Sequence, residues 1–197
     1  ITVAVLFLAA AVFQATSPAV AQETNPLFTQ QKVKNYLPHM TWPEVEEALT
    51  RTDVALIPVG SIEQHGRHLP LGTDSYAATE ACKLVAQRAD ALVVPVLLAG
   101  LSAHHMGFPG SLTVSAETFE QVILETAEAL IHHGIRKIAL YNGHGGNSAS
   151  VANVITRINN STVATAVDLG QIDVSAAQSP YDSPDFDWHA GVGETSW

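Results

Sequence analysis

Val54-Ala55-Leu56-Ile57-Pro58-Val59 is an unbroken apolar run, and Gly60-Ser61-Ile62-Glu63-Gln64-His65-Gly66-Arg67-His68-Leu69-Pro70-Leu71-Gly72-Thr73-Asp74 follows it directly. The first segment reads as a strand buried on both faces, because apolar residues occupy successive positions instead of alternating with polar ones. The second sets two carboxylates and two imidazoles within a few positions of each other. Glu63 and His65 lie two residues apart, and in extended backbone alternate residues face one side, so both reach a single centre. Gly66 lets the chain turn, and Asp74 returns just before a helical pattern begins. Glu, Asp and His together suit Zn2+ or Mn2+, and Fe2+ is also served by this set; copper and iron–sulfur clusters fit it less well. Standing before a helix, Asp74 also has an ordinary alternative role as its N-cap.

The pattern then repeats. Helical spacing runs from Ser75 to Arg88, a strand from Ala91 to Leu98, a long helix from Ser115 to His133, a strand from Lys137 to Tyr141, a helix from Asn147 to Asn160, and a strand from Thr162 to Val167. A helix from Thr41 or Trp42 to about Arg51 precedes the first strand, with Pro43 in its first turn. Ser115 is expected to cap its helix, Asn147 to cap the next, and Gly134 to stop the long one. Continuous apolar strands separated by amphipathic helices predict an α/β fold: a layered domain with a mostly parallel sheet flanked by helices. Ligands in such folds bind at the carboxyl ends of the strands. Three candidate segments fall there: Glu63 to Asp74, the His104-His105 loop, and Asn142-Gly143-His144-Gly145-Gly146-Asn147.

Around these, each histidine has its own expectation. His144, flanked by glycines, is open to close approach and is a metal-ligand candidate. Gly145-Gly146-Asn147 opening a helix is also compatible with a phosphate cradle, but neither a following Lys-Ser/Thr nor a G-x-G-x-x-G pattern is present. In extended chain His104 and His105 would face opposite ways, which makes His104 a solvated loop residue and His105 a candidate substrate contact. His132 and His133 end a helix, where its negative dipole end favours them structurally. Cys82 lies among Ala78, Ala81 and Val85 and reads as a small core residue; as the single cysteine it forms no internal disulfide.

Composition sets the outer limits. The chain has 197 residues, 47% hydrophobic and 14% charged, enough for one folded domain with a sizeable core. Its formal net charge of −10 argues against a nucleic-acid partner. Val3 to Phe13 is almost wholly apolar, too short for a comfortable membrane span, and Ala19 and Ala21 form an A-x-A pattern. Residues 1–21 are therefore expected to be a signal peptide cut after Ala21, although no basic segment precedes the apolar run and the chain starts at Ile1. A buried helix or an uncleaved anchor is the alternative. The mature protein is then exported to a periplasm or the exterior, with no stable membrane anchor. Residues 22–40 read as an arm or linker, and 41–197 as the folded domain. Thr195-Ser196-Trp197 resembles the opening of a helix, so the C-terminus is expected to be truncated.

Four motifs in order give a resemblance: the Gly60–Asp74 segment, Phe108-Pro109-Gly110-Ser111, Asn142 to Asn147, and His189-Ala190-Gly191 with Glu194-Thr195-Ser196. Together they are similar to the creatininase family of metal-dependent amidohydrolases, from about Trp42 onward. The resemblance implies a layered α/β domain with two divalent ions, ligated by Glu63, His65, Asp74 and His144, with Asp74 bridging. It implies hydrolysis of a C–N amide bond, since two cations sharing a water lower its pKa toward neutrality. Creatininase proper carries a Glu two residues after the matching histidine, where this chain has Gly146. The double-glycine form is more similar to members that hydrolyse formamides or small peptides. Glu194 is then the nominee for the missing ligand, His189 for proton transfer to the leaving nitrogen, and His68 and His105 for substrate contacts. The partner is a small-molecule amide, and the family's ring-like assemblies make a homo-oligomer an expectation. A non-catalytic exported module that binds a metal or a solute is the rival class.

Overall fold

The structure is a computed structural model, and it describes residues 32–171 together with His189. The expected signal peptide, the stretch 172–188, and Glu194 with the residues around it lie outside the described residues.

Four strands make one parallel sheet in the order β2-β1-β3-β4: β1 is Val54–Val59, β2 Leu92–Val93, β3 Lys137–Asn142 and β4 Thr165–Asp168. Four helices connect and cover it: α1 Trp42–Leu49, α2 Thr73–Ala89, α3 Ala116–His132 and α4 Ser148–Ser161. Thr41 and Glu44 close a capping box at the start of α1, and the Ser115 side chain accepts from the Thr118 N–H at the start of α3. No helix among the described residues is long and apolar enough to cross a membrane.

β1 shows why the sheet forms. Ala55, Ile57 and Val59 turn to one face, where Phe119 and Ile123 of α3 and Val151, Val154 and Ile158 of α4 pack on them. Leu56 turns to the other face and meets Cys82 and Ala86 of α2. Burying each Val, Leu or Ile side chain contributes about 1.5–3 kcal/mol, so a strand apolar on both faces is stable only with a layer on each. The Cys82 thiol is wholly buried, as expected of a small core residue.

One expectation changes. The strand expected over Ala91 to Leu98 is regular only at Leu92–Val93. Pro95 has no N–H for a ladder, and beyond it only an isolated bridge joins Leu97 to Val59. The segment 32–40, expected as part of an arm, lies along the β2 edge: Tyr36 bridges Val93, and buried Asn35 donates from its Nδ2 to Asp90 Oδ1 at 2.9 Å.

The strand order fixes where a site belongs. From β1 the chain passes to β2 on one side and later to β3 on the other, so the connections leave a crevice between the carboxyl ends of β1 and β3. The N-terminus of α2 closes against these ends. A Cβ on Gly60 would stand 2.6 Å from Ser75 Cα, and one on Gly143 would stand 2.4 Å from the Asp74 carbonyl oxygen. Glycine at both positions is what lets the first turn of α2 approach both strands.

Candidate metal centre

Three loops deliver the polar groups. Ser61 to Arg67 follows β1, Leu101 to His105 follows the β2 segment, and Gly143 to Asn147 follows β3. Asp74 arrives on the first turn of α2. It is not the N-cap, which is Gly72 without a side-chain bond; the Asp74 carboxylate instead turns inward to two imidazoles. Glu63, His65, Asp74 and His144 are all buried, the first two at 0% exposure.

The two histidines are arranged alike. His65 donates from Nδ1 to the Glu63 carbonyl at 3.1 Å, and its Nε2 faces Asp74 Oδ1 at 2.8 Å. His144 Nε2 lies 3.3 Å from the Leu101 carbonyl oxygen, which leaves Nδ1 facing Asp74 Oδ2 at 3.3 Å and Glu63 Oε1 at 3.2 Å. In each ring one nitrogen is held by a backbone acceptor and the other aims a lone pair at carboxylate oxygen. Lone pairs facing each other repel, so a proton or a cation has to sit between them. A backbone carbonyl fixing the far nitrogen is the usual support of a metal-bound imidazole.

The carboxylates carry the complementary signs. Glu63 Oε1 and Asp74 Oδ2 are buried oxygens without a well-formed hydrogen bond. On Oε1 converge His144 Nδ1, His189 Nδ1 at 3.5 Å and His105 Nε2 at 3.7 Å. The other oxygen, Oε2, accepts from the Ser102 hydroxyl at 2.6 Å, and Ser61 contacts Ser102 from behind. Burial alone would raise the Glu63 carboxyl, but His144 and Ser102 outweigh it and hold it down at about 2. Burial likewise opposes the Asp74 charge, and His144 and His65 reverse that, leaving its carboxyl below the ordinary range. For His144, burial disfavours the imidazolium, yet Asp74 and Glu63 raise it to about 10. Both carboxylates thus favour the protonated form of His144.

Two groups of side chains are spaced to hold an ion, and both use Glu63: Glu63 with His65 and His189, and Glu63 with His104 and His144. Asp74 stands between them, one oxygen toward His65 and the other toward His144. The donor types fit divalent metal ions. Glu63, His65, Asp74 and His144 are the buried residues that would hold them.

The structure thus brings Glu63, His65, Asp74, His144, His105 and His189 together. His68 is exposed on the loop between His65 and Asp74. His104 is exposed on its loop, as expected, but the backbone there is not the extended chain the expectation assumed. Ala103–His105 is a 3-10 turn, not extended chain, so the two histidines do not alternate, and the His104 ring stacks on His144 at 5.9 Å between centroids. Two supporting residues went unread in the sequence, and a third has another role. Ser102 orients Glu63. Gln64 contacts His105 Nδ1 at 3.0 Å through its Nε2, and its backbone carbonyl accepts from His189. Asn147 stands at the N-cap position of α4, but its side chain makes no cap bond; its Oδ1 accepts from the Leu101 N–H and its Nδ2 donates to the Gly60 carbonyl, both at 3.0 Å. Signals existed for Ser102 and Gln64, since each adjoins a histidine motif; for Asn147 the local helix start suggested a cap.

The chain is similar to known proteins. The family model for creatininase, described as creatinine amidohydrolase, matches residues 38–197. The chain is 34% identical over 119 residues to the creatinine amidohydrolase of Pseudomonas putida, covering 57% of this chain and 46% of that protein. It is 34% identical over 149 residues to the mycofactocin precursor peptide peptidase of Mycolicibacterium smegmatis, covering 73% of this chain and 56% of that one. The chain therefore spans about half the length of these curated relatives. A solved creatinine amidohydrolase superposes with a TM-score of 0.68 at 29% identity, covering 85% of this chain and 71% of that one. A creatininase described with Mn gives a TM-score of 0.69 at 30% identity, covering 82% and 70%. A mutant creatininase of Zn-Zn type gives 0.68 at 30% identity, covering 85% and 71%. The ordered motifs, the parallel sheet and the buried carboxylate–imidazole cluster agree with these matches, and the chain belongs to the creatininase family.

Proposed function

We propose that this chain carries the centre of a dinuclear metal-dependent amidohydrolase, which cleaves a C–N amide bond in a small molecule: a cyclic amide, a formamide or a small peptide. The observation that carries the reading is Asp74, whose two oxygens face the lone-pair nitrogens of two separately anchored histidines. Two divalent ions, Zn2+ and/or Mn2+, fit the donor set, and the solved relatives described with Mn and as Zn-Zn support that choice. Bound there, such ions supply Lewis acidity and acidify water toward neutral pH.

The chain's own residues do the remainder. Backbone carbonyls of Glu63 and Leu101 fix the tautomers of His65 and His144, and Ser102 fixes the rotation of the Glu63 carboxylate. None of these groups needs to reorganise when charge develops on a substrate carbonyl. His189 is exposed at the mouth, with Nδ1 3.5 Å from Glu63 Oε1 and its Nε2 engaged by the Gln64 carbonyl. At this edge His189 is the residue we assign to hand a proton to the leaving nitrogen. His105, with Nε2 3.7 Å from Glu63 Oε1, and His68, exposed on the loop before Asp74, are our nominees for substrate contacts. Glu194 remains the nominee for a further ligand. Gly146 in place of a glutamate, and the match to a peptide peptidase, favour formamides and small peptides over creatinine. The apolar segment and A-x-A pattern of residues 1–21 support an exported protein, and we carry a homo-oligomer as part of the same reading.

The test is turnover on a panel of cyclic amides, formamides and short peptides, before and after chelation. Chelation should abolish hydrolysis and Zn2+ or Mn2+ restore it, and His189→Ala should lower kcat about a hundred- to ten-thousand-fold. A protein that holds its ions and hydrolyses no amide would be a binding module instead. A loss below tenfold in His189→Ala would remove that residue's role.

A further inference from the structure

We infer that His104, on the 3-10 turn after the β2 segment, is an outer ligand of the ion position formed by Glu63, Asp74 and His144. This rests on the metal-centre reading above and assigns a residue that the family motifs do not mark. Three observations converge on it. A nitrogen of His104 lies within 4.8 Å of both a Glu63 oxygen and a His144 nitrogen, the spacing of groups that share an ion. The Glu63 carboxylate is wholly buried, and one of its two oxygens, Oε1, carries no well-formed hydrogen bond. The His104 and His144 rings are nearly parallel, inclined by 8°, so His104 lies alongside the His144 ring rather than turning away from it.

Gly146 explains why the ligand comes from this loop. A Cβ at 146 would stand 2.4 Å from His144 Nε2 and 2.7 Å from the Leu101 carbonyl oxygen. With His144 seated on that carbonyl, no side chain can enter from position 146. Glu63, Asp74 and His144 then supply three groups, one fewer than the four that zinc ordinarily takes. His104 supplies the fourth from the solvent side. Because it is exposed while the other three are buried, it is the ligand able to leave, which makes this ion position the more exchangeable of the two.

Competition titration of Zn2+ and Co2+ against a chromophoric chelator tests this, with the visible absorption of bound Co2+ as a second readout. In His104→Ala and His104→Phe, one of the two ions should bind at least about tenfold more weakly, since removing even a supporting contact costs that much, and the Co2+ spectrum should change. The phenylalanine keeps the ring stacked on His144 and removes the nitrogen. Wild-type affinity in His104→Phe with weakened binding in His104→Ala would mean stacking, not ligation, and would overturn the inference. Unchanged affinity in both would overturn it while leaving the dinuclear reading intact. A wild-type protein that binds neither ion would refute both.

Discussion

Asn147→Asp separates two roles for one buried side chain. Were Asn147 only a helix cap, aspartate would serve equally well, because the two rank together at that position. In the structure the Asn147 carboxamide ties the loop after β1 to the loop after the β2 segment, accepting from Leu101 N–H and donating to the Gly60 carbonyl. Aspartate keeps the acceptor for Leu101. It loses the donor and sets an oxygen against the Gly60 oxygen, about where a 3.0 Å hydrogen bond had been. Leaving the Gly60 carbonyl unsatisfied costs about 1–3 kcal/mol, and burying an uncompensated charge at a wholly buried position adds to it. A total of about 3 kcal/mol or more follows, which for a chain of this size lowers Tm by roughly 6–12 °C. The sign with pH is also set. Burial raises the new carboxyl above its unfolded value, so the penalty relative to wild type grows as pH rises and shrinks as pH falls toward the ordinary carboxylate range. Urea and thermal unfolding of both proteins at several pH values measure this. A loss under 0.5 kcal/mol at neutral pH, on the order of a surface substitution, would refute the clip and restore the cap.

Other consequences are as direct. Ser102→Ala removes the hydroxyl that donates to Glu63 Oε2; stability should fall by about 1.5–3 kcal/mol, as for a hydrogen bond to a charged group, and metal affinity by about ten- to a hundredfold, read by unfolding and competition titration. His144, raised to about 10 by Asp74 and Glu63 against the opposing effect of burial, stabilises the metal-free protein fully below its ordinary 6.5, and that contribution is lost as pH rises through about 10. Ion binding must displace this proton, so affinity should increase with pH across that window with net proton release, and calorimetry in buffers of different ionisation enthalpy would show otherwise if no proton left. Burial pushes the Cys82 thiol up to about 12, so a thiol reagent at pH 8 should label it only after unfolding; rapid labelling of the native protein would contradict its place under α2.

Much of this architecture is visible in the sequence wherever one signal dominates locally. β1 coincides with its apolar run, and α3 begins at its serine cap, because each is specified by its own residues. Glu63, His65 and Asp74 were legible as a group because they sit within one short segment. The readings that changed depend on backbone form or on distant partners. Pro95 interrupts a run that is apolar throughout, so hydrophobicity alone overstates β2. His104 is exposed as expected, but the extended chain assumed for it and His105 is a 3-10 turn. Ser102 and Asn147 act on Glu63 and Gly60, residues 39 and 87 positions away, and only the folded sheet brings those loops together.

The central claim is that Asp74 stands between two ion positions. Elemental analysis of the purified protein, after loosely held ions are removed, counts them directly, and Asp74→Asn serves as its partner because it keeps the side chain's shape and removes its charge. Close to two Zn2+ or Mn2+ per wild-type chain, and one or none in Asp74→Asn, is the expected result. A wild-type chain that retains a single ion, and keeps it undiminished in Asp74→Asn, would contradict the account.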